Sequence, residues 1–301
     1  MVGSANLDLV VEVPTIPVAG QTVLGGDLRR IPGGKGANQA VAAARLGRRV
    51  AMIGRVGDDD AGAMLRAALD SAGIDATRLL QTEGIPSGTA LIAVGADGDN
   101  AIVVSPGANG QLDPADVASA ADAVTAAEVL LLQLEVPIEA VAAAVRGARG
   151  TVVLNPAPAP AAALPSALLD GVDVIVPNQT ELATLAGHAG LSPIGAVDPE
   201  TAVALARGLP VAAAVVTLGA AGAMVVTPHD ATHVPAPPVV PVDTTAAGDA
   251  FCGALADALV GGADLVAAAE WAVRVGTAAT LRHGAQPSLP TPAEVEDLLG
   301  P

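Results

Sequence analysis

Aromatic residues, cations and cysteine are all scarce in this sequence of 301 residues. One tryptophan, one phenylalanine and no tyrosine leave few rings on which a planar ligand could stack, so apolar packing would have to replace stacking. The lone cysteine, Cys252, excludes a disulfide framework and a cysteine-rich metal site, and it fits a reducing cytoplasm. The net charge of −17 comes without a basic stripe, which argues against nucleic-acid binding.

Lys35 is the only lysine, and every other basic residue is an arginine. A surface with 31 acidic and 14 basic residues does not attract an anion by its overall field. A site for an anionic ligand must therefore supply its own local positive field. The position of Lys35 is a natural place to look for that field.

No membrane segment or leader is expected. The stretch Thr151–Leu169 is uncharged and of bilayer length, but its four prolines remove amide donors and break a helix. The first residues show no basic region followed by an apolar core, so we expect no signal peptide. With 51% hydrophobic residues, the chain is expected to be globular and cytoplasmic.

Short apolar runs alternate with longer alanine-rich segments of helical spacing. The predicted strands are Val50–Gly54, Val129–Leu134, Thr151–Leu154, Val172–Val176 and Val211–Thr217. The predicted helices are Ala61–Gly73, Pro114–Ala127, Pro137–Arg146, Pro199–Arg207, Asp249–Leu259, Asp264–Arg282 and Thr291–Leu299. This alternation predicts the α/β class, with a mostly parallel central sheet covered by helices on both faces.

Two regions, about 10–31 and 89–105, break this alternation with strand-like runs and no helices. The predicted strands there are Thr22–Leu24, Leu28–Ile31, Thr89–Val94 and Ala101–Ser105, the last two joined by a hairpin over Gly95–Asn100. We expect a small antiparallel β lid over the strand ends, attached to a single α/β domain that spans residues 1–301.

A glycine-rich segment, GGKGANQA, contains Lys35 and precedes a predicted helix over Ala40–Leu46. Glycines at 33, 34 and 36 bare the backbone, so a ligand can approach its amides closely. The segment matches neither a Walker A loop nor a dinucleotide fingerprint. The alternative interpretation is a glycine-rich turn with an incidental lysine.

A second segment, VDTTAAGD, leads into the helix predicted to start near Asp249. Small residues at a helix start leave backbone N–H groups free, and with the helix dipole they form an anion hole. Asp249 at its edge would be a well-placed general base beside a reacting phosphate. The alternative is that Asp249 only caps the helix.

Polar residues also follow several predicted strands. Asn178 and Glu181 come after Val172–Val176 and are either ligand contacts or an N-cap with its capping-box partner. The glycine turn TLGAAG is either a nucleotide cradle or a plain hairpin, and Glu135, Asn6 and Asp8 are hydroxyl acceptors or loop residues. Together they predict a crevice along one sheet edge, with hydroxyl acceptors at one end and an anion hole at the other.

The sequence resembles the ribokinase family, which belongs to the phosphofructokinase-B type sugar kinases. The resemblance covers essentially the whole chain and rests on motifs in family order: GSANLD, GGKGANQA, QLE, NPAP, PNQTE, TLGAAG, VDTTAAGD and GAQPS. It implies a three-layer α/β/α sandwich with a β lid. It also implies transfer of the γ-phosphoryl of ATP to the 5-hydroxyl of D-ribose, with Mg²⁺ and K⁺ as cofactors.

The resemblance assigns roles by motif. Sugar contacts would come from Asn6, Asp8, Gly34, Lys35, Gly36, Asn38, Glu135 and Asp249. Asp249 would be the catalytic base, and the phosphoryl group would be held by the amides of Ala246, Ala247 and Gly248. ATP and its magnesium would be bound by Asn178, Glu181, Thr217, Gly219, Gly222 and Gly248. Potassium would be bound by Asp243, Thr245, Ala279, Arg282, Gly284 and Ser288.

Three positions depart from the family pattern. Val273 replaces a residue that is often polar near adenine, which leaves packing to recognise the base. Gln179 replaces a more common glutamate, which weakens the magnesium environment. Met1 falls close to the first motif, so we expect a short central strand.

Two other functions remain open. The first is a kinase of the same fold that acts on deoxyribose, fructose or a nucleoside such as adenosine. The second is a catalytically idle sugar-binding protein. The resemblance also implies a homodimer formed through the lid, with small-molecule partners and neither nucleic acid nor membrane.

Overall fold

Buried strands alternate with helices along most of the chain in a computed structural model, which describes residues 1–96, 99–191 and 197–300. The strands are β1 (Asn6–Val13), β2 (Arg29–Gly33), β3 (Ala51–Gly57), β4 (Asp75–Thr82), β5 (Gly88–Gly95), β6 (Asn100–Ser105), β7 (Val129–Leu132), β8 (Thr151–Leu154), β9 (Val174–Ile175), β10 (Ala213–Thr217), β11 (Ala223–Val226) and β12 (Ala231–Val234).

The helices cover both faces of the resulting sheet. They are α1 (Lys35–Arg45), α2 (Asp60–Ser71), α3 (Pro114–Ser119), α4 (Ala121–Ala126), α5 (Ile138–Gly147), α6 (Ser166–Leu169), α7 (Gln179–His188), α8 (Pro199–Arg207), α9 (Ala247–Val260), α10 (Leu265–Ala279) and α11 (Pro292–Leu299). Among the residues described, no helix is both long enough and apolar enough to cross a bilayer.

The central sheet has the order β12-β11-β10-β9-β8-β7, followed by Val2 and then β3-β4. Val2 bridges Leu132 on one side and Ile53 on the other, both in parallel. Only the pairings of β11 with β10 and with β12 are antiparallel. The predicted parallel sheet is therefore confirmed, and its central strand is as short as expected.

Alternate residues of each strand pack into two separate hydrophobic cores, one on each face of the sheet. Leu131 and Val153 pack on one face with helices α1, α2, α9, α10 and α11. Their neighbours Leu130, Val152 and Leu154 pack on the other face with α3 to α8. Continuous apolar strands of this kind need helices on both sides, and the predicted three-layer sandwich results.

The second sheet, with the order β2-β1-β5-β6, forms the lid. The β5–β6 hairpin is antiparallel, although its tip at 97–98 lies outside the described residues. The prediction of a wholly antiparallel lid was wrong, because β1 and β5 pair in parallel. Both strands enter the lid from the main sheet and therefore run the same way. The strand predicted over Thr22–Leu24 was also wrong, since Thr22 and Leu24 are exposed and lack a partner strand.

Three further predictions need correction. The helix predicted over Pro114–Ala127 splits into α3 and α4, because Ala120 has non-helical backbone angles (φ −105°, ψ 18°). Asn6 and Asp8 do not end a strand of the main sheet but lie at the start of β1, where it enters the lid. Helix α1 begins at Lys35 rather than Ala40, with a consequence for the site described next.

Candidate active site

Asp249 lies in the first turn of α9 and is only 7% exposed. Its Oδ2 accepts a hydrogen bond from Asn38 Nδ2 at 2.9 Å, and its Oδ1 accepts one from Gln39 Nε2 at 3.0 Å. No side chain caps the start of α9, so the interpretation of Asp249 as a helix cap was wrong. Burial raises the pKa of Asp249, while Lys35, Asn38 and Gln39 oppose that rise.

The turn before α9 leaves backbone donors free. Ala246 adopts a left-handed conformation (φ 60°) at the N-cap, and the Ala247 N–H donates to Thr244 O at 3.2 Å. Within the described part of the chain, the N–H groups of Ala246 and Gly248 have no acceptor. Of the three amides predicted to hold a phosphoryl group, these two are therefore fully available, and the helix dipole favours an anion there.

Lys35 opens helix α1 because two side chains accept the first amides of that helix. Glu135 Oε2 accepts from Lys35 N at 3.1 Å, and Ser4 Oγ accepts from Gly36 N at 3.2 Å. The preceding Gly34 has φ 88°, and a Cβ there would lie 2.6 Å from Asn6 N, so only glycine fits. The glycine-rich segment is thus a helix start rather than a turn.

The Lys35 side chain lines a cavity of about 230 Å³ together with Glu181, Gly248 and Asp249. Burial opposes its charge, but Asp249, Glu135 and Glu181 outweigh burial and raise the pKa of Lys35. The single lysine of an acidic chain is therefore held protonated beside the free amides. It supplies the local positive field that the composition required.

The end of the crevice beneath the lid is lined by polar side chains. Glu135 Oε2 accepts hydrogen bonds from Ser4 Oγ at 2.6 Å and from Asn6 Nδ2 at 3.4 Å. Asn109 Nδ2 donates to Asn6 Oδ1 at 2.7 Å and fixes that amide. Sequence reasoning missed Ser4 and Asn109, because their hydrogen-bond partners lie 131 and 103 residues away in the chain.

Asp8 has a different environment from Glu135. Among the described residues, none donates a hydrogen bond to its carboxylate, although the side chain is buried at the base of the lid. Burial, followed by the charges of Glu135 and Asp249, raises the pKa of Asp8 to about 7. Asn38 Oδ1 is likewise buried without a partner. Buried polar atoms of this kind normally find a partner, and a hydroxylated ligand would provide one.

A larger cavity of about 490 Å³ adjoins the first and shares Asn178, Thr217, Thr244 and Gly248 with it. The predicted residues Gly219, Gly222 and Val273 line it, as does Gln179. Its remaining walls are largely apolar and include Phe251 and residues 236–239 and 241 of a proline-rich run. Sequence reasoning missed that run, although its prolines between a strand and the VDTTAAGD segment were a usable signal.

Asn178 and Glu181 form a complete capping box at the start of α7. Asn178 Oδ1 accepts from Glu181 N at 2.8 Å, and Glu181 Oε2 accepts from Asn178 N at 2.8 Å. The capping interpretation is thus confirmed, and Glu181 Oε1 stays free on the cavity side. In the described ranges no cluster of three or more His, Cys, Asp or Glu side chains forms a metal cage.

The predicted potassium loop packs beside the anion hole. Asp243 Oδ1 accepts from Thr245 N at 2.9 Å, and its Oδ2 accepts from Gly284 N at 2.8 Å. Burial raises the pKa of Asp243, but these hydrogen bonds outweigh it and lower the pKa overall. Among the residues described, the carbonyls of Ala279, Arg282 and Gly284 accept no N–H. Free carbonyl oxygens of this kind fit a hard monovalent cation.

Comparison with known proteins agrees with this geometry. The family model described as pfkB family carbohydrate kinase matches residues 1–292. The chain therefore belongs to the pfkB family of carbohydrate kinases. It is similar to the ribokinase of Bacillus subtilis, with 38% identity over 302 residues that cover 99% of this chain and 98% of the relative.

Two further similarities refine the comparison. The deoxyribokinase of Salmonella typhi is 36% identical over 305 residues, which cover 99% of this chain and 97% of the relative. The structure of Arabidopsis thaliana ribokinase complexed with ribose and ATP is 31% identical, with a TM-score of 0.88, and the match covers 99% of this chain and 97% of that one.

Proposed function

We propose that this chain is an ATP-dependent ribokinase, which phosphorylates the 5-hydroxyl of D-ribose and releases D-ribose 5-phosphate and ADP. One observation carries the proposal. The buried carboxylate of Asp249 lies close to the carboxylates of Asp8 and Glu135, and it lines a cavity of about 230 Å³ that adjoins an apolar cavity of about 490 Å³. A base between a hydroxyl-binding site and a nucleotide-sized cavity suits phosphoryl transfer to an alcohol.

The reaction needs a base, a positive field and exclusion of water. The 5-hydroxyl oxygen forms a bond to the γ-phosphorus, and its proton moves to the Asp249 carboxylate. The bond from the γ-phosphorus to the bridging oxygen breaks, and its electron pair leaves with ADP. The free N–H groups of Ala246 and Gly248, with the ammonium of Lys35, stabilise the charge on the transferring group, whereas the N–H of Ala247 holds the turn through Thr244 O. The lid over the sugar keeps water from competing as acceptor.

The sugar is proposed to be held by Asn6, Asp8, Gly34, Lys35, Gly36, Asn38 and Glu135. The backbone at Gly34 and Gly36 contributes amides and close approach, whereas Asp8 and Glu135 accept hydroxyl protons. ATP is proposed to lie against Thr217, Gly219, Gly222 and Val273, with its phosphates toward Gly248.

Mg²⁺ and K⁺ are the proposed cofactors. Asn178 and the free oxygen of Glu181 would hold Mg²⁺ through its waters, because Mg²⁺ keeps most of its waters and takes phosphate oxygens. When bound, Mg²⁺ would neutralise part of the phosphate charge. K⁺ would be held by the loop of Asp243, Thr245, Ala279, Arg282, Gly284 and Ser288. Turnover measured in potassium buffer should exceed turnover in sodium buffer, and equal rates would contradict the potassium site.

A homodimer formed through the lid is also proposed, in a cytoplasmic protein. Leu91 on β5 and its cross-strand partner Val103 on β6 are 52% and 65% exposed on the same face of the lid sheet. An apolar sheet face of this kind is open to a second copy. Light scattering should give twice the chain mass of 29.1 kDa, and a monomeric mass would contradict it.

The acceptor is tested by ADP release with a panel of ribose, deoxyribose, fructose and adenosine. We expect the highest kcat/KM with ribose. Deoxyribose is the strongest alternative, because a relative at 36% identity is named deoxyribokinase. A preference for another acceptor would overturn ribose as substrate. Sugar binding by calorimetry without ADP formation, at saturating Mg²⁺ and K⁺, would point to an idle sugar-binding protein.

A further inference from the structure

A buried network of amides lies behind Asp249. Gln39 is fully buried on α1, and its Nε2 donates to Asp249 Oδ1 at 3.0 Å and to Asn155 Oδ1 at 3.1 Å. Gln133 Nε2 in turn donates to Gln39 Oε1 at 2.8 Å. No part of the proposed reaction uses Gln39, although it touches the proposed base.

The hydrogen-bonding pattern fixes the orientation of the Gln39 amide from several sides. Asn155 Nδ2 donates to Val176 O at 2.8 Å, so Asn155 presents its oxygen to Gln39. An ionised carboxylate only accepts hydrogen bonds, so Asp249 requires a donor from Gln39. A flipped Gln39 would place its oxygen against both Asp249 and Asn155, and its nitrogen against the Gln133 nitrogen. The donors of the network therefore point in one direction, from Gln133 through Gln39 to Asp249.

This polarity decides where Asp249 can hold a proton. Each carboxylate oxygen has two lone-pair sites, and one site on each is taken by Asn38 or Gln39. Both partners present N–H groups and cannot accept a proton. A proton on Asp249 must therefore reside on the side that faces the cavity shared with Lys35 and Gly248.

We propose that Gln39 is a positioning residue, which turns the free lone pairs of Asp249 toward the acceptor hydroxyl and supports its ionised form. The proposal deepens, and in its kinetic readouts rests on, the proposed function. Gln39 does not line the cavity, whereas its partners Asp249 and Asn155 do, so its effect reaches the substrate through the residues that it holds in place.

The charged surroundings set the direction of the expected pH effect. Burial raises the pKa of Asp249, and the charge of Glu135 adds to that rise. Lys35 from α1 opposes it, as do the hydrogen bonds from Asn38 and Gln39. Asp8 from the lid, Glu181 from α7 and Cys252 from α9 complete the titratable groups around it. Removing the Gln39 donor should therefore raise the pKa of Asp249 further.

The test is Gln39→Met, which keeps the size of the side chain and removes both of its polar atoms. We expect kcat at neutral pH to fall about 10-fold to 100-fold, as expected for a lost hydrogen bond to a charged group. The KM values for ribose and ATP should stay within about twofold, because Gln39 does not touch either ligand. The acid limb of the plot of kcat against pH should move to higher pH.

Two companion variants separate positioning from folding. Gln133→Met leaves the bonds of Gln39 to Asp249 but frees its amide to flip, so the same changes should be smaller; it also serves if Gln39→Met does not fold. Val41→Ala removes buried packing from the same helix without contact to the network, so it should lower the Tm and leave the pH profile unchanged.

The carboxyl carbon of Asp249, followed by NMR in the ligand-free protein, gives a readout independent of turnover. Its titration midpoint should rise in Gln39→Met, even if ribose is not the acceptor. An unchanged midpoint with an unchanged pH profile would overturn the proposal. So would a rise in the KM for ribose at constant kcat, which would make Gln39 a sugar contact instead. If the midpoint rises but ribose is not phosphorylated, the proposed function fails and the positioning role stands.

Discussion

The two ends of the crevice offer a polar ligand different kinds of partner. The proposed sugar end presents side chains as acceptors, with Asp8 buried and Glu135 half-buried beneath the lid. The proposed nucleotide end presents backbone N–H groups around Gly248 and apolar walls that include Phe251 and Val273. Asp249 lies where the two ends meet. Side-chain recognition and backbone recognition are therefore separable, and a change at one end should leave affinity at the other unaltered.

The largest effect is expected at the junction of the two ends. Asp249→Ala should lower kcat by about 10²-fold to 10⁴-fold or more, because it removes the general base. ATP should still bind, since the amides that hold its phosphates belong to the backbone. Calorimetry and ADP release check the two halves of this prediction. Asp198→Ala, which removes an exposed cap of α8, is the control and should retain turnover. Substantial turnover in Asp249→Ala would remove Asp249 as the base.

The second effect concerns the sugar end alone. Asp8→Asn should raise the KM for ribose about 10-fold to 100-fold, because a charged acceptor is lost. The KM for ATP should not change. Since the pKa of Asp8 is about 7, ribose affinity of the wild type should also weaken as the pH falls below about 7. Steady-state kinetics between pH 5.5 and pH 8.5 measure both. A parallel rise in the KM for ATP would contradict the separation of the two ends.

The same substitution should change stability in a pH-dependent way. Folded Asp8 keeps its proton up to about pH 7, whereas the unfolded chain loses it near its ordinary value of 3.8. The folded state therefore binds more protons between these values, so this group makes the protein less stable as the pH rises. Asp8→Asn removes this decrease in stability, because asparagine does not ionise. Its Tm should exceed the wild-type value at pH 8 and approach it at pH 4, and a lower Tm at pH 8 would contradict the raised pKa.

The smallest effect is expected at the nucleotide end. Val273→Ala should raise the KM for ATP only a few fold, because it removes one apolar contact among many, and should lower the free energy of unfolding by about 1 kcal/mol. The KM for ribose should stay at its wild-type value. Kinetics with each substrate varied in turn, and denaturant unfolding, measure these changes. A larger effect on ribose than on ATP would reverse the assignment of the two ends.

Local signals explain which parts of the fold were predictable. The helix over Pro199–Arg207 was predicted with its observed bounds, because Asp198 caps it and Pro199 opens it. The buried strand Thr151–Leu154 was equally clear. The parallel pairing of β1 and β5 was missed because it depends on where distant segments enter the lid. Thr22–Leu24 has a strand-like composition, but it pairs with no strand, and Thr22 and Leu24 are exposed.

The candidate site shows the same division. Asp249 and Glu135 were predictable, because carboxylates at strand ends and helix starts stand out in a sequence. Gln39 was not, because its role depends on a partner 210 residues away. The proline-rich wall of the larger cavity was missed, although its prolines were a signal, because apolar residues carry no chemistry that names a ligand. Local motifs can be read from a sequence, whereas contacts between distant residues and the shape of a cavity require the fold.

Detection of the product by phosphorus NMR tests the central claim most directly. Wild-type protein with ATP, D-ribose, Mg²⁺ and K⁺ should produce ADP and one new phosphate monoester, whose phosphorus couples to the two protons on C5 of the sugar. Asp249→Ala should produce none over the same period. Formation of ADP with inorganic phosphate alone, or of an ester at another hydroxyl, would contradict the account.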